Sequence, residues 1–208
     1  MSTEPTAPRR LAVVLAGTAS GGAAPPGVDP SALRRAALAD SYEVVADLVG
    51  VSGGIAGPPE VAELLWPGGV HLPDLPLVEL AGLLAPDWEE VVAVAGDVPD
   101  LPGIVLAKVF KVLHRSDVVV APARGGGCVA VGLRLPLAPW LGDQYLDLDA
   151  DLATLLPGLA PRRSACASAP DWHRLRTPDD LRRLDPGLEG WEETRALLAA
   201  AGQPREVG

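Results

Sequence analysis

The chain has 208 residues, of which 48% are hydrophobic and 21% are charged, and its formal net charge is −10. This composition supports a hydrophobic core and excludes an intrinsically disordered chain. The excess of acidic side chains argues against a nucleic acid or an anionic membrane as partner, because both need a basic surface. No apolar run reaches the roughly 18 residues of a membrane-spanning helix. With no leader-like segment either, the expected compartment is the cytoplasm.

The length fits a single domain over residues 1–208. We expect residues 1–8 to be a flexible tail, residues 9–184 to be the core, and residues 185–208 to be a C-terminal helical segment. The two cysteines and three histidines form no cluster at metal-ligand spacing, so a zinc site is not expected.

The chain opens with a strand, a glycine-rich loop and a helix. Residues 11–16 are apolar but too few for a helix, which predicts a buried strand, and residues 17–27 form the loop. Asp29 is the predicted N-cap of the helix that follows, and Pro30 is its first residue.

The remaining predicted elements alternate between strands and helices. Strands are predicted at residues 50–51, near Val70, and at 90–95, 117–122, 128–132 and 160–167. Helical stretches are predicted at residues 59–65, 77–84, 103–114, 177–184 and 189–201. This alternation predicts an α/β fold with three layers and a mostly parallel sheet.

Ligands of open parallel sheets bind at the carboxyl ends of the strands. The first candidate loop at that edge follows the opening strand. Its backbone N–H groups can hold phosphates, and the predicted nucleotide-binding residues are Ala16, Gly17, Thr18, Gly21 and Gly22. The segment fits neither of the common glycine motifs for nucleotides, so a plain flexible turn is the alternative.

The second candidate loop carries two carboxylates. Asp97 follows the five apolar residues 91–95 and Gly96, and Asp100 lies three residues further on. Hard cations prefer oxygen ligands, so both are predicted ligands of Mg²⁺ or Mn²⁺, with Asp97 also the predicted catalytic residue. The alternative is that each aspartate caps a turn or helix.

The third candidate loop combines Arg124 with Gly125, Gly126 and Gly127. An arginine fork beside backbone that a ligand can approach closely predicts a substrate-binding loop. The alternative is a tight turn with a solvated arginine. Cys128, which follows, is predicted to be a core residue rather than a nucleophile.

Two of these segments carry a family resemblance. The turn Gly96-Asp-Val-Pro-Asp-Leu-Pro102, a helix, and then residues 117–133 with their Pro-Ala-Arg-Gly-Gly-Gly sequence resemble the radical-SAM/selenodomain-associated transferases. That family is glycosyltransferase-A-like and is related to sugar nucleotidyltransferases and 2-phospholactate guanylyltransferases. Thr177-Pro-Asp-Asp-Leu181 also resembles its C-terminal Thr-Pro-Glu-Asp-Leu segment. The resemblance implies a nucleotide-diphospho-sugar transferase fold with Asp97 at the metal-binding position.

The chain departs from the family pattern at several charged positions. Arg124 and Gly125 stand where the family has Glu-Asp, and Arg174 and Arg176 stand where it has paired acids. The family's basic loop after the first strand is also absent. Three functions therefore stay open: glycosyl transfer from a nucleotide-sugar to a small-molecule acceptor, nucleotidyl transfer to a small phosphorylated acceptor, and a catalytically silent binding or scaffold role. A homodimer is compatible with all three.

Overall fold

A computed structural model describes residues 8–142 and 144–202 of the chain. The strands are β1 (Arg10–Leu15), β2 (Ser52–Ala56), β3 (Val70–Leu72), β4 (Glu90–Ala95), β5 (Val118–Pro122), β6 (Cys128–Arg134) and β7 (Cys166–Ser168). The α-helices are α1 (Pro30–Ala46), α2 (Leu77–Leu84), α3 (Gly103–Leu113), α4 (Pro139–Gly142), α5 (Leu152–Leu159) and α6 (Glu192–Gly202). Short 3₁₀ helices lie at Ala16–Thr18, Pro59–Leu64 and Pro178–Arg183.

The seven strands form one sheet in the order β3-β2-β1-β4-β6-β5-β7. β1 pairs in parallel with both β2 and β4, with Leu11 opposite Ser52 on one side and Val91 on the other. β6 runs antiparallel between β4 and β5, and β7 is parallel to β5. The predicted α/β class and mostly parallel sheet are therefore confirmed, with β6 as the reversed strand.

The central strands are apolar on both faces because helices cover both faces of the sheet. Every residue of β4 is buried, as a strand covered on two sides requires. α1 begins as its sequence predicts, since the Asp29 carboxylate accepts hydrogen bonds from the backbone N–H groups of Ser31 and Ala32. None of the helices within residues 8–142 and 144–202 is long and apolar enough to cross a membrane.

Several predicted boundaries differ from the structure. The strand predicted at 50–51 begins at Ser52 and is longer, because Gly50 adopts a positive φ of 73° and ends the preceding turn. The sequence of residues 147–151 fits either alternation or the start of a helix, and α5 begins directly after it, where the Asp151 carboxylate accepts a hydrogen bond from the N–H of Thr154. The last strand is β7 alone, shorter than the predicted 160–167. The predicted tail lies almost entirely outside the described residues, as does the end of the C-terminal segment beyond residue 202.

The carboxyl ends of β1 and β4 lie side by side at one edge of the sheet, because the two strands are parallel neighbours. The loop after β1 and the Gly96–Asp97 turn after β4 therefore meet there. The segment Trp172–Arg176 also passes this edge, since the backbone N–H of Leu175 donates to the carbonyl of Asp97 at 2.8 Å. This crossing brings together residues that are far apart in the sequence.

Candidate functional site

A cleft of about 290 Å³ opens at this edge of the sheet. Gly17 and Thr18 line it from the loop after β1, and residues 74–77 line it from the turn after β3. The opposite wall is the segment 145–149, which supplies the exposed ring of Tyr145 and the carboxylates of Asp147 and Asp149. The cleft lies where ligands bind in open α/β sheets.

Thr18 ties the floor of the cleft to the neighbouring strand. Its hydroxyl donates to the carbonyl of Leu15 at 2.6 Å and accepts from the N–H of Gly96 at 2.8 Å. The loop after β1 is thereby held against the turn that carries Asp97.

Asp97 is paired with Arg174 at the base of the site. Both side chains are buried, and the arginine binds the carboxylate with two hydrogen bonds, Nε to Oδ1 at 2.6 Å and Nη2 to Oδ2 at 3.0 Å. A bidentate pair of this kind is the strongest geometry that an arginine and a carboxylate can form. Both oxygens of Asp97 are therefore engaged by the protein itself.

Arg174 also binds four further acceptors around it. Nη1 donates to the Asp149 carboxylate at 2.7 Å and lies within 3.4 Å of the carbonyls of Leu148 and Cys128, while Nη2 donates to the Thr18 carbonyl at 3.1 Å. The guanidinium thus joins four separate segments of the chain at one point.

Arg176 extends this network toward solvent. Its Nη2 donates to the same Asp149 oxygen at 2.9 Å and its Nη1 donates to the carbonyl of Gly126 at 3.0 Å. Two arginines therefore balance the two carboxylates of Asp97 and Asp149. Asp74 and Asp147, which also line the cleft, form no ion pair within the described part of the chain.

Two opposing effects act on the protonation of Asp97. Burial raises the pKa of its carboxyl above the ordinary value, while the hydrogen bonds and positive charge of Arg174 lower it. Burial is the larger of the two effects, so the pKa of Asp97 stays above its ordinary value, and Arg174 limits that increase.

The predicted metal ligands are not arranged for a metal. Asp100 points to a different set of partners: its Oδ1 accepts from Trp172 Nε1 at 3.1 Å and its Oδ2 accepts from the N–H of Asp185 at 3.1 Å. His173 Nε2 also lies 3.0 Å from Asp100 Oδ1, without the alignment of a hydrogen bond. No group of three or more His, Cys, Asp or Glu side chains in residues 8–142 and 144–202 is placed to hold a metal ion. The donor set present does not fit Mg²⁺ or Mn²⁺.

The helix-cap alternatives for the two aspartates are wrong. The N-cap of α3 is Pro102, and it receives no side-chain cap. Asp97 binds Arg174 instead, and Asp100 anchors the segment 172–185 from the buried turn after β4. Both aspartates serve contacts with residues more than 70 positions away.

The predicted nucleotide-binding loop divides into two parts. Gly17 and Thr18 line the cleft, whereas Ala16 is buried. At Gly21 a Cβ atom would lie 2.7 Å from the carbonyl of Pro30, and at Gly22 it would lie 2.8 Å from the carbonyl of Arg176. These two glycines are outside the cleft lining and allow the loop to pack against neighbouring backbone.

The predicted substrate loop lies beside the cleft rather than in its lining. Arg124 is half-exposed, and its Nε donates to Asp171 at 2.9 Å, which lowers the pKa of that carboxyl. Its guanidinium carbon also lies 5.8 Å from the centre of the Trp172 ring. Gly125, Gly126 and Gly127 all have positive φ, so they form the tight turn between β5 and β6.

The turn glycine next to the cleft has a steric role as well. A Cβ at Gly127 would lie 2.5 Å from the carbonyl of Leu148 and 2.8 Å from Arg176 Nη2. The absence of a side chain at Gly127 thus lets the Arg174–Asp149–Arg176 network close over the turn.

Cys128 is a core residue, as predicted. Burial raises the pKa of its thiol to about 11, so the thiol is protonated at neutral pH. We expect Cys128 to resist iodoacetamide in the folded protein and to react after unfolding in guanidinium chloride, as read by peptide mass spectrometry. Labelling of folded Cys128 as fast as of the half-buried Cys166 would contradict this assignment.

Sequence reasoning missed most of the cleft wall. Asp74 lies in a Gly- and Pro-rich region without a clear pattern, and Tyr145, Asp147 and Asp149 lie where the sequence pattern loosens. The alternation of aspartates at 147, 149 and 151 was the available signal, because carboxylates two residues apart share one side of an extended chain.

A larger cavity of about 390 Å³ lies behind the sheet edge, between α1 and the turn before α6. Its charged lining is entirely acidic, formed by Asp40, Glu43, Asp47, Asp100 and Glu189. The charged side chains that line the cleft are acidic too, but Asp149 there is paired with Arg174 and Arg176, whereas no arginine pairs with an acid of the larger cavity among the described residues.

The fold is that of nucleotide-diphospho-sugar transferases. A structure named as a candidate nucleotide-diphospho-sugar transferase from Desulfovibrio desulfuricans superposes with a TM-score of 0.65 at 19% identity, over 92% of this chain and 95% of that one. The 4-diphosphocytidyl-2C-methyl-D-erythritol synthase of Anaerococcus prevotii has a TM-score of 0.56 at 10% identity, over 85% and 94%. The Mycobacterium tuberculosis protein Rv0371c, solved in complex with manganese, has a TM-score of 0.51 at 18% identity, over 86% and 98%.

At the level of sequence, the model of a family described as "Uncharacterized protein conserved in bacteria (DUF2064)" matches residues 80–145. The matched segment includes β4, Asp97, Asp100 and Arg124. No curated protein matches the chain. The predicted nucleotide-diphospho-sugar transferase fold is thus confirmed, and the narrower resemblance remains a proposal.

Proposed function

We propose that this chain binds a nucleotide or a nucleotide-sugar in the cleft at the carboxyl ends of β1 and β4. The observation that carries the proposal is the position of this cleft in a nucleotide-diphospho-sugar transferase fold, with the backbone of Gly17 and Thr18 on one wall. In open α/β sheets this edge is the ligand-binding edge. The resemblance of residues 96–102 and 117–133 to the radical-SAM/selenodomain-associated transferases supports the same assignment.

The chemistry of the cleft walls fits the uncharged part of such a ligand. Carboxylates such as Asp74 and Asp147 accept hydrogen bonds from ribose or sugar hydroxyls and from base N–H groups. The exposed ring of Tyr145 offers a surface on which a base can stack. Arg176 borders the cleft through its bond to Asp149, is partly exposed and uses two of its five side-chain N–H donors within the described chain, so it is the arginine with donors left for a phosphate.

Two transfer reactions remain within this proposal. Glycosyl transfer to a small-molecule acceptor releases a nucleoside diphosphate, and nucleotidyl transfer to a phosphorylated acceptor releases pyrophosphate. Either would proceed by positioning and electrostatic stabilisation, because no nucleophile paired with a base lines the cleft among the described residues.

A binding role without catalysis is the second candidate. The bidentate pairing of Asp97 with Arg174 favours it, because the predicted catalytic carboxylate is bound by the protein and buried. Measuring both ligand binding and product release distinguishes this candidate from a transferase.

The test is a thermal-shift panel of nucleoside triphosphates, diphosphates and nucleotide-sugars. A ligand at about 100 times its dissociation constant stabilises the folded state by about 2.7 kcal/mol, which raises the melting temperature by several degrees. We expect one nucleotide class to produce this shift. The same samples are then assayed for released nucleoside diphosphate and pyrophosphate. Release of a nucleoside diphosphate indicates glycosyl transfer, release of pyrophosphate indicates nucleotidyl transfer, and binding with neither product indicates a binding role without catalysis.

The site is tested with Gly17→Leu. A Cβ at Gly17 would meet only Asp74 Oδ1, at 3.6 Å, so the larger side chain extends toward the cleft without clashing with backbone. The matched control is Gly82→Leu, because a Cβ at Gly82, in α2, meets nothing within 4 Å. The shift should disappear in Gly17→Leu and persist in Gly82→Leu. An equal shift in both variants would place the ligand elsewhere.

A further inference from the structure

The position that the sequence predicts for a divalent cation is filled by a side chain. The guanidinium of Arg174 has two carboxylates and three backbone carbonyls around it, from Asp97, Asp149, Thr18, Leu148 and Cys128. A shell made only of oxygen atoms, two of the groups charged, is the environment that a hard cation takes in proteins. Here the cation is a planar guanidinium covalently attached to the chain.

All of the N–H donors of Arg174 are used inside the protein. Nε binds Asp97, Nη2 binds Asp97 and the Thr18 carbonyl, and Nη1 is shared among three acceptors. Its side chain is 2% exposed, so no donor is left for a ligand in the cleft. Arg174 therefore fixes the positions of the cleft residues without itself contacting what binds there.

The charges at this point are already balanced. Asp97 and Asp149 contribute two negative charges, and Arg174 and Arg176 contribute two positive charges. A divalent cation would have to displace the guanidinium from Asp97 and leave it buried without a partner, which is strongly unfavourable.

We propose that Arg174 replaces the divalent cation at the strand edge, so that Asp97 binds no metal and the cleft takes its ligand without one. The part that concerns the ligand rests on the proposed function, whereas the part that concerns Asp97 does not. The role of Arg174 is to position the loop after β1 against Asp97 and Asp149, a task that a bridging ion would otherwise perform.

The first test is titration of the wild-type protein with Mn²⁺ alone, followed by electron paramagnetic resonance of the free ion. Asp97→Asn serves as the comparison, because it removes the carboxylate while leaving the shape of the side chain. We expect wild type and Asp97→Asn to bind Mn²⁺ equally, within about twofold, since any binding comes from the acidic surface. Binding to wild type that is about tenfold or more tighter than to Asp97→Asn would overturn the proposal.

The second test uses Arg174→Asp, which exchanges the cation for a second carboxylate beside Asp97. We expect Mn²⁺ affinity to rise about tenfold or more above wild type. Arg182→Asp is the matched control, because it makes the same charge change on an exposed side chain. If Arg174→Asp does not fold, the comparison of wild type with Asp97→Asn decides alone.

The third test repeats the nucleotide panel in EDTA and in excess MgCl₂ or MnCl₂. We expect the stabilising nucleotide to bind with the same affinity in all three conditions, within about twofold. Binding that needs the metal and is lost in Asp97→Asn would overturn the proposal. If no nucleotide changes the melting temperature in any condition, the proposed function fails. The Mn²⁺ titration still decides whether Asp97 binds a metal ion.

Discussion

Replacing Arg174 with alanine is expected to lower the free energy of unfolding by about 3–5 kcal/mol, the cost of leaving a buried charge without its partner. Asp97 is fully buried and receives two hydrogen bonds from Arg174. The variant also loses the donors that bind Asp149 and the Thr18 carbonyl. Equilibrium unfolding in urea, followed by far-UV circular dichroism, measures the loss.

The loss should also depend on pH in a defined direction. Burial raises the pKa of Asp97 and Arg174 opposes that effect, so removing the arginine raises the pKa further. A carboxyl whose folded pKa lies above its unfolded value of 3.8 favours the folded state when protonated, and this contribution is lost as the pH rises. We therefore expect Arg174→Ala to lose less stability at about pH 4 than at about pH 7.

Two comparisons isolate the buried pair. Arg182→Ala removes an exposed arginine with an ion pair at the surface, and it should change stability by no more than about 0.5 kcal/mol. The double variant Asp97→Leu with Arg174→Met should be more stable than Arg174→Ala, because it leaves no buried charge unpaired. Equal losses for Arg174→Ala and Arg182→Ala would contradict the network described above.

Replacing Asp100 with alanine is expected to cost about 1–3 kcal/mol, because the buried carboxylate is removed and its two part-buried donors lose their acceptor. The side chain is fully buried, and it accepts from Trp172 Nε1 and from the N–H of Asp185. These contacts hold the chain on both sides of the 3₁₀ helix Pro178–Arg183 against the turn after β4, Trp172 before the helix and Asp185 after it. Thermal and urea unfolding both measure the change.

The size of this effect separates the roles considered for Asp100. A residue that only capped a helix would cost about 1 kcal/mol. A metal ligand would cost little in the absence of metal and would remove a metal-dependent stabilisation. Asp179→Ala, at an exposed acid, serves as the control and should change stability by less than about 0.5 kcal/mol.

Local sequence signals predicted most of the elements. The Asp29-Pro30 pair placed the start of α1 correctly, because an N-cap carboxylate and a fixed proline φ act within one helical turn. The apolar run 91–95 followed by Gly96 placed Asp97 at the end of a buried strand, which the structure confirms. β2 and α5 were harder to predict, because their sequences contain glycine or proline and mix polar with apolar residues. Their boundaries depend on packing against neighbouring elements.

The sequence by itself determined the α/β class, the order of most elements and the position of Asp97 at the sheet edge, since these follow from hydrophobic periodicity and capping within about ten residues. The tertiary structure alone decided what Asp97 and Asp100 bind. Their partners Arg174 and Trp172 lie 77 and 72 residues away, in a segment whose path across the strand ends has no local signal. Asp97 is thus the partner of a buried arginine because the chain returns to the carboxyl end of β4, a long-range contact that periodicity cannot predict.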